Sequence, residues 1–323
     1  MDIQRLFLFL IFVFSLGLIW DGWQRYQHPE QYVQQSADAN NNPIKVASSA
    51  SAPVKSVDRS AIIQQPLQQL KGKTIRVKSA FIEAEIDTIG GDISYLALLK
   101  HPDAQDKTKP LVLFHRGEGT HNYFAQTGLL GVGLPNHNSL FISEQETYTF
   151  TENSNQLQVR LKAADESVAK VTKVITFSKE NYLIGVSYEL ENVSQQAVNV
   201  SSYYQLVRDS RAPEGGSVFL PTYTGAAVYT DNEKFVKVSF ADIEKGKTEY
   251  QKQANDGWIG LLQHYFVAAW LPKEGTSREY FTRKLDGDAY SAGVVLPELI
   301  VKPGEKTEVG SALYAGPAES TLD

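Results

Sequence analysis

From Lys73 onward, apolar and polar positions alternate with a period of two. Thr74-Ile75-Arg76-Val77-Lys78 and Ile82-Glu83-Ala84-Glu85-Ile86-Asp87 each put apolar residues on one face and charged residues on the other, the mark of a half-buried strand. Gly90-Gly91 reads as a turn that returns the chain through Ile93 to Leu99 as a partner strand. Further strands are expected at Gln156 to Leu161, Lys173 to Phe177, Leu183 to Leu190, Val198 to Leu206, Phe235 to Phe240, Arg278 to Leu285 and Glu308 to Tyr314. Asn153, Asn181, Asn192, Asp286-Gly287-Asp288 and Pro303-Gly304 punctuate them. Gly257 to Pro272 is apolar on all sides, which fits a buried helix or buried strands. Its β-branched and aromatic residues, with Gly and Pro at the ends, favour strands. Regularly spaced strands over this length predict a mainly β fold, a large two-sheet sandwich.

The amino-terminal part follows another pattern. Leu6 to Trp20 is an unbroken apolar run, and extended to Trp23 it gives about 27 Å of helix, close to the hydrocarbon thickness of a bilayer. A cleaved signal peptide would end in small residues. Asp21-Gly22-Trp23-Gln24-Arg25-Tyr26 is bulky and polar instead, so an uncleaved anchor is expected, with Trp20, Trp23 and Tyr26 in the headgroup layer. Arg5 and Arg25 flank the run on opposite sides and leave its orientation open. Residues 24–72 are rich in Gln, Ser, Ala, Asn and Pro and have too little apolar surface to offset chain entropy. They read as a tether spanning on the order of 35–40 Å. Three parts result: an anchor over 1–23, a linker over 24–72 and a sandwich domain over 73–323.

The absence of cysteine excludes a disulfide, a thiolate nucleophile and a cysteine metal site. A formal charge of -6 without a basic block argues against nucleic acid as a partner. Among candidate chemistry, His115-Arg116-Gly117-Glu118-Gly119-Thr120-His121 puts a carboxylate between two imidazoles. Sandwiches of the galactose-mutarotase type use such groups on a sugar ring, which gives an alternative reading as a sugar-binding or epimerase domain. The spacing matches no zinc signature, however, and glycines between polar residues describe a surface loop. Glu144, Glu146 and Glu152 fit the wet face of a strand. No phosphate loop, nucleophile elbow or His-Glu-x-x-His occurs, so no catalytic, cofactor or metal residue is assigned and the chain is not expected to be an enzyme. The aromatics suggest a contact surface for apolar segments, with Tyr229, Trp258, Tyr265, Phe266 and Trp270 as candidates; the alternative for each is the sandwich core.

Several stretches carry a family resemblance. Met1-Asp2-Ile3-Gln4-Arg5 with the apolar run and Trp20-Asp21-Gly22-Trp23 resembles the amino terminus of the YidC inner-membrane insertases. Tyr223 to Tyr229, Glu233 to Phe240, Gly257-Trp258-Ile259 through Gln263-His264-Tyr265-Phe266 to Ala269-Trp270-Leu271-Pro272, and Leu313-Tyr314-Ala315-Gly316-Pro317 are similar to the family's large periplasmic domain. The resemblance implies a β-supersandwich of the galactose-mutarotase kind and a place in the bacterial inner membrane, with the amino terminus cytoplasmic and the chain periplasmic after about residue 24. It also implies partners: nascent membrane proteins, the Sec translocon and SecDF, and the lipid bilayer through residues 6–23. Family members continue into five further membrane helices that hold a polar insertion groove. None of the groove residues is present before Asp323, so the chain reads as the amino-terminal portion of a longer insertase.

Overall fold

The computed structural model describes residues 72–117, 122–213, 223–263 and 265–318. The expected anchor over 6–23, and all of the tether before Gly72, lie outside the described residues. Among the described residues no helix is long and apolar enough to cross a membrane.

Strand is the dominant regular structure among the described residues, with one short helix. In order it forms β1 (Thr74–Lys78), β2 (Ile82–Asp87), β3 (Ile93–Pro102), β4 (Pro110–His115), β5 (Tyr123–Leu130), β6 (Phe141–Ser143) and β7 (Thr147–Thr149). Four long strands follow, β8 (Gln156–Ala163), β9 (Ala169–Ser178), β10 (Leu183–Asn192) and β11 (Val198–Asp209). Next come β12 (Thr224–Thr230), β13 (Lys234–Val238), a short helix α1 (Phe240–Glu244), β14 (Gln253–Ala254), β15 (Trp258–Gln263) and β16 (Phe266–Leu271). The last four strands are β17 (Arg278–Lys284), β18 (Ala289–Val295), β19 (Leu299–Val301) and β20 (Lys306–Pro317).

They make two sheets. An eleven-stranded sheet runs β14-β17-β18-β11-β5-β4-β3-β2-β1-β7, with β19 added beside β11, and a nine-stranded sheet runs β13-β12-β15-β16-β20-β10-β9-β8-β6. Their apolar faces meet in one core that takes alternate residues from both, such as Ile86, Leu206, Ile175 and Leu313. The two-sheet β-sandwich expected from the alternation is what the chain forms. Gly90 and Gly91 turn β2 into β3 at φ 74° and 63°, values that glycine adopts without strain.

One strand boundary and one contact candidate change, while the strands favoured for Gly257 to Pro272 are found. The strand expected to reach Phe240 stops at Val238, because the Ser239 hydroxyl accepts the Asp242 amide and caps α1. Gly257 to Pro272 resolves into the β15–β16 pair, Ile259 opposite Trp270 and Gln263 opposite Phe266. That pairing turns Trp270 inward. It is fully buried in the core, 5.2 Å from the Tyr204 ring, so it is a core residue and offers no contact surface.

This placement has a measurable consequence. Trp270→Ala is expected to lose about 3–5 kcal/mol of unfolding free energy by leaving a cavity between the sheets. Phe235→Ala, which removes a side chain that is 45% exposed, is expected to cost less than about 1 kcal/mol. Urea unfolding of both variants checks the contrast, and equal losses would contradict this division of the aromatics.

Candidate docking site

The outer face of the nine-stranded sheet carries an aromatic shelf at its β13 edge. Alternation decides which side chains reach it: Ala226 and Val228 of β12 join the inter-sheet core, while Ala227 belongs to a second cluster with Trp258, Val267, Ala269 and Tyr314. Register then sets a row across three strands, since Tyr229 pairs with Phe235 on one side and with Trp258 on the other. The Tyr229 and Trp258 rings stack at 6.2 Å with an interplanar angle of 12°, and Phe235 lies 6.0 Å from Trp258. Gly257 (φ 80°) permits this close approach, because a Cβ there would collide with the Tyr229 carbonyl oxygen.

Two cations sit over the shelf's tyrosines. Lys234 Nζ is 6.0 Å from the Tyr229 ring centroid and Lys237 Nζ is 4.9 Å from that of Tyr223. β13 is the end strand of its sheet, and its backbone bonds only to β12 among the described residues. A five-residue strand therefore offers unpaired main-chain groups on its outer side, beside an exposed Phe235.

The residues expected to form one contact surface are divided by the fold. Tyr229 and Trp258 come together on the shelf. Tyr265 and Phe266 lie at the opposite end of the β15–β16 pair, where Tyr265 is 68% exposed and Phe266 packs edge-on against His101 at 5.3 Å. Phe235, Lys234 and Lys237 complete the shelf, and the signal for them was present in the alternation Lys234-Phe235-Val236-Lys237-Val238. Of the His–Glu–His loop, Glu118 and His121 lie outside the described residues, and His115 ends β4. Among the described residues no cluster of His, Cys, Asp or Glu could hold a metal ion.

A second group of polar side chains is buried. Asp92, 0% exposed just after the Gly90-Gly91 turn, accepts from Arg116 Nη1 and Gln126 Nε2, both at 3.0 Å, on its Oδ2. Gln126 Oε1 in turn accepts from Gln205 Nε2 at 2.7 Å. From the facing sheet, Lys173 Nζ donates to the Gly90 carbonyl at 2.8 Å and lies 5.6 Å from the Tyr188 ring. His137 shares a ring hydrogen bond with the Tyr203 hydroxyl. Burial raises the Asp92 carboxyl to about 6, against the opposing pull of Arg116, Lys173 and Gln126. Burial lowers Lys173 to about 8, with Asp92 opposing. Burial, then the charges of Arg116 and Lys173, lowers His137 to about 4. Lys173 ties the two sheets together through the Gly90 carbonyl, and Arg116, Gln126 and Gln205 bond to Asp92 or to one another from within one sheet.

Fold and surface together define a two-sheet β domain with an open strand edge beside an aromatic face. The family model described as the YidC periplasmic domain matches residues 74–322, and the chain belongs to that family. Among relatives, it is 40% identical over 99% of its length to a protein of Nitrosospira multiformis named membrane protein insertase YidC, and 42% identical over 98% to one of the same name from Methylobacillus flagellatus. It covers 59% and 57% of those two proteins. A galactose mutarotase-related enzyme from Lactobacillus acidophilus superposes with a TM-score of 0.48 at 12% identity, over 77% of this chain and 99% of that one. That likeness carries no chemistry across.

The buried groups set opposing responses to acid. Unfolded His137 takes its proton near 6.5 and the folded side chain only near 4, so its contribution is present above pH 6.5 and is lost as pH falls towards 4. Folded Asp92 holds its proton up to about 6 and the unfolded one only to 3.8, so acidification across that window restores stability. Each shift corresponds to roughly 3 kcal/mol, and the two largely offset. Asp92→Asn should therefore expose the His137 loss as a steeper fall of the urea midpoint between pH 6.5 and 4.5. Parallel pH profiles for the two proteins would contradict this assignment.

Proposed function

We propose that the chain is the anchored periplasmic portion of a membrane-protein insertase and that it docks partners rather than catalysing a reaction. In this reading residues 6–23 hold it in the inner membrane with the amino terminus cytoplasmic, residues 24–72 are a tether, and residues 73–323 form the periplasmic domain. The clients are nascent membrane proteins, and the partners are the Sec translocon and SecDF. Family membership supports the insertase setting. The step that carries polar segments into lipid is assigned to the part of its relatives' length that this chain does not span.

The observation that carries the docking role is the unpaired outer edge of β13 beside the exposed Phe235. An extended segment added there would gain main-chain hydrogen bonds from the strand and side-chain contact from the Phe235–Trp258 shelf. Lys234 and Lys237 guard the edge against pairing with a second copy.

Titration of purified SecDF against the membrane-anchored protein tests this. Binding should change the emission of Trp258. Phe235→Asp should weaken binding about tenfold or more, as loss of an aromatic anchor does, while leaving the melting temperature within a few degrees. Unchanged affinity in both Phe235→Asp and Tyr229→Ser would contradict the reading.

A further inference from the structure

At the other edge of the nine-stranded sheet the surface has a different character. β6 is the end strand there, and it alternates: Phe141 is buried at 1%, while Leu140 and Ile142 on either side are 49% and 57% exposed. A cavity of about 290 Å³ opens beside them, lined by Gly133, Leu134, Pro135 and Leu140 on one side and by Ala163, Ala164 and Asp165 on the other. The apolar surface continues from it. Val132, next to Gly133, is 63% exposed, and Gly131 sits against the Asn199 carbonyl oxygen. Asn199 is paired with Ile300, which is 66% exposed. Val132, Leu140 and Ile142 from one stretch, with Ile300 from a distant one, thus expose large aliphatic side chains on this part of the sandwich. Isolated exposed apolar residues need no explanation, but Leu140 lining a cavity beside an open strand edge, with Ile142 exposed next to it, marks a place for contact.

The charges around this surface have one dominant sign. Asp165 lines the cavity, and hydrogen bonds from the Ser167 amide and hydroxyl hold its carboxyl below the usual carboxylate range. Glu166 follows it in an exposed turn, and Glu298 accepts from the Asn199 side chain at 3.2 Å. Of the two lysines flanking the β8–β9 turn, Lys162 is matched by Glu144 at 3.1 Å and Lys170 stands opposite Glu191 in register. Lys302 stands beyond Ile300, where the Glu305 carboxylate accepts its backbone amide. The balance stays acidic. An acidic rim disfavours an anionic lipid surface, and in a symmetric pair of copies it would face itself. It suits an apolar segment with basic ends.

We infer that this end of the sandwich binds apolar polypeptide segments flanked by lysine or arginine. One large apolar side chain enters the cavity beside β6, and the basic flank lies against Asp165, Glu166 and Glu298. The cavity is at the small end of ligand pockets, which suits a side chain rather than a cofactor. Because β6 and β13 are opposite edges of the sheet, this site does not depend on the aromatic shelf and can fail or hold separately from it.

The test uses the whole chain in detergent and two fluorescent peptides with the same leucine–alanine core, one ending in lysines and the other in glutamates. Anisotropy should show the lysine-ended peptide binding at least about tenfold more tightly, with a preference that shrinks as salt is added. Ala164→Lys puts a cation on an exposed position of the cavity wall and should abolish the preference without changing the melting temperature. Asp165→Asn keeps the turn's hydrogen bond and should weaken only the lysine-ended peptide, by a few-fold. Equal affinity for both peptides, or an unaltered preference in Ala164→Lys, would overturn the proposal. So would binding to phosphatidylglycerol vesicles with no peptide binding, or self-association that Ala164→Lys abolishes with no peptide binding.

Discussion

Two large sheets with no cysteine between them depend on the contact of their apolar faces. Trp270 against Tyr204, Ile86, Ile175, Leu206 and Leu313 belong to that contact, and neither sheet could remain folded with its face in water. Lys173 adds a polar tie by reaching across to the Gly90 carbonyl. The tie holds charge in a dry place, which is why Lys173 and Asp92 are displaced in opposite directions from their ordinary ionisation ranges. The ion pair that Asp92 makes is with Arg116, and removing that arginine would leave a buried carboxylate without its matched charge.

Once the inner faces are committed, only outer faces, edges and ends remain for contact. The nine-stranded sheet uses both edges differently. At β13 it shows aromatic rings with lysines, and at β6 it shows aliphatic side chains around a cavity with acids. The proposed docking roles rest on this difference in side-chain character between the two edges.

Much of the architecture was legible in the sequence, and the limits have physical causes. β1 and β2 declare themselves because one face is wetter than the other and the period of two is visible. β5 was not legible because all of its residues are buried, so no alternation remains to be seen. Trp258 and Trp270 looked equivalent within one apolar run. The register that pairs Ile259 with Trp270 joins an odd position to an even one, so even residues face outward in β15 and inward in β16. Periodicity cannot supply that parity, because the turn sets it. Asp92, Gln126, His137 and Lys173 were equally hidden, since long-range pairing alone brings them together.

Amide hydrogen exchange along β13 is the most direct test of the docking account. In the free protein the outward amides of Lys234–Val238 should exchange quickly, because no strand covers them. With a saturating partner bound, they should become protected while β6 amides stay unchanged. Partner binding that leaves β13 exchange unaltered would contradict the assignment of this edge as the docking site.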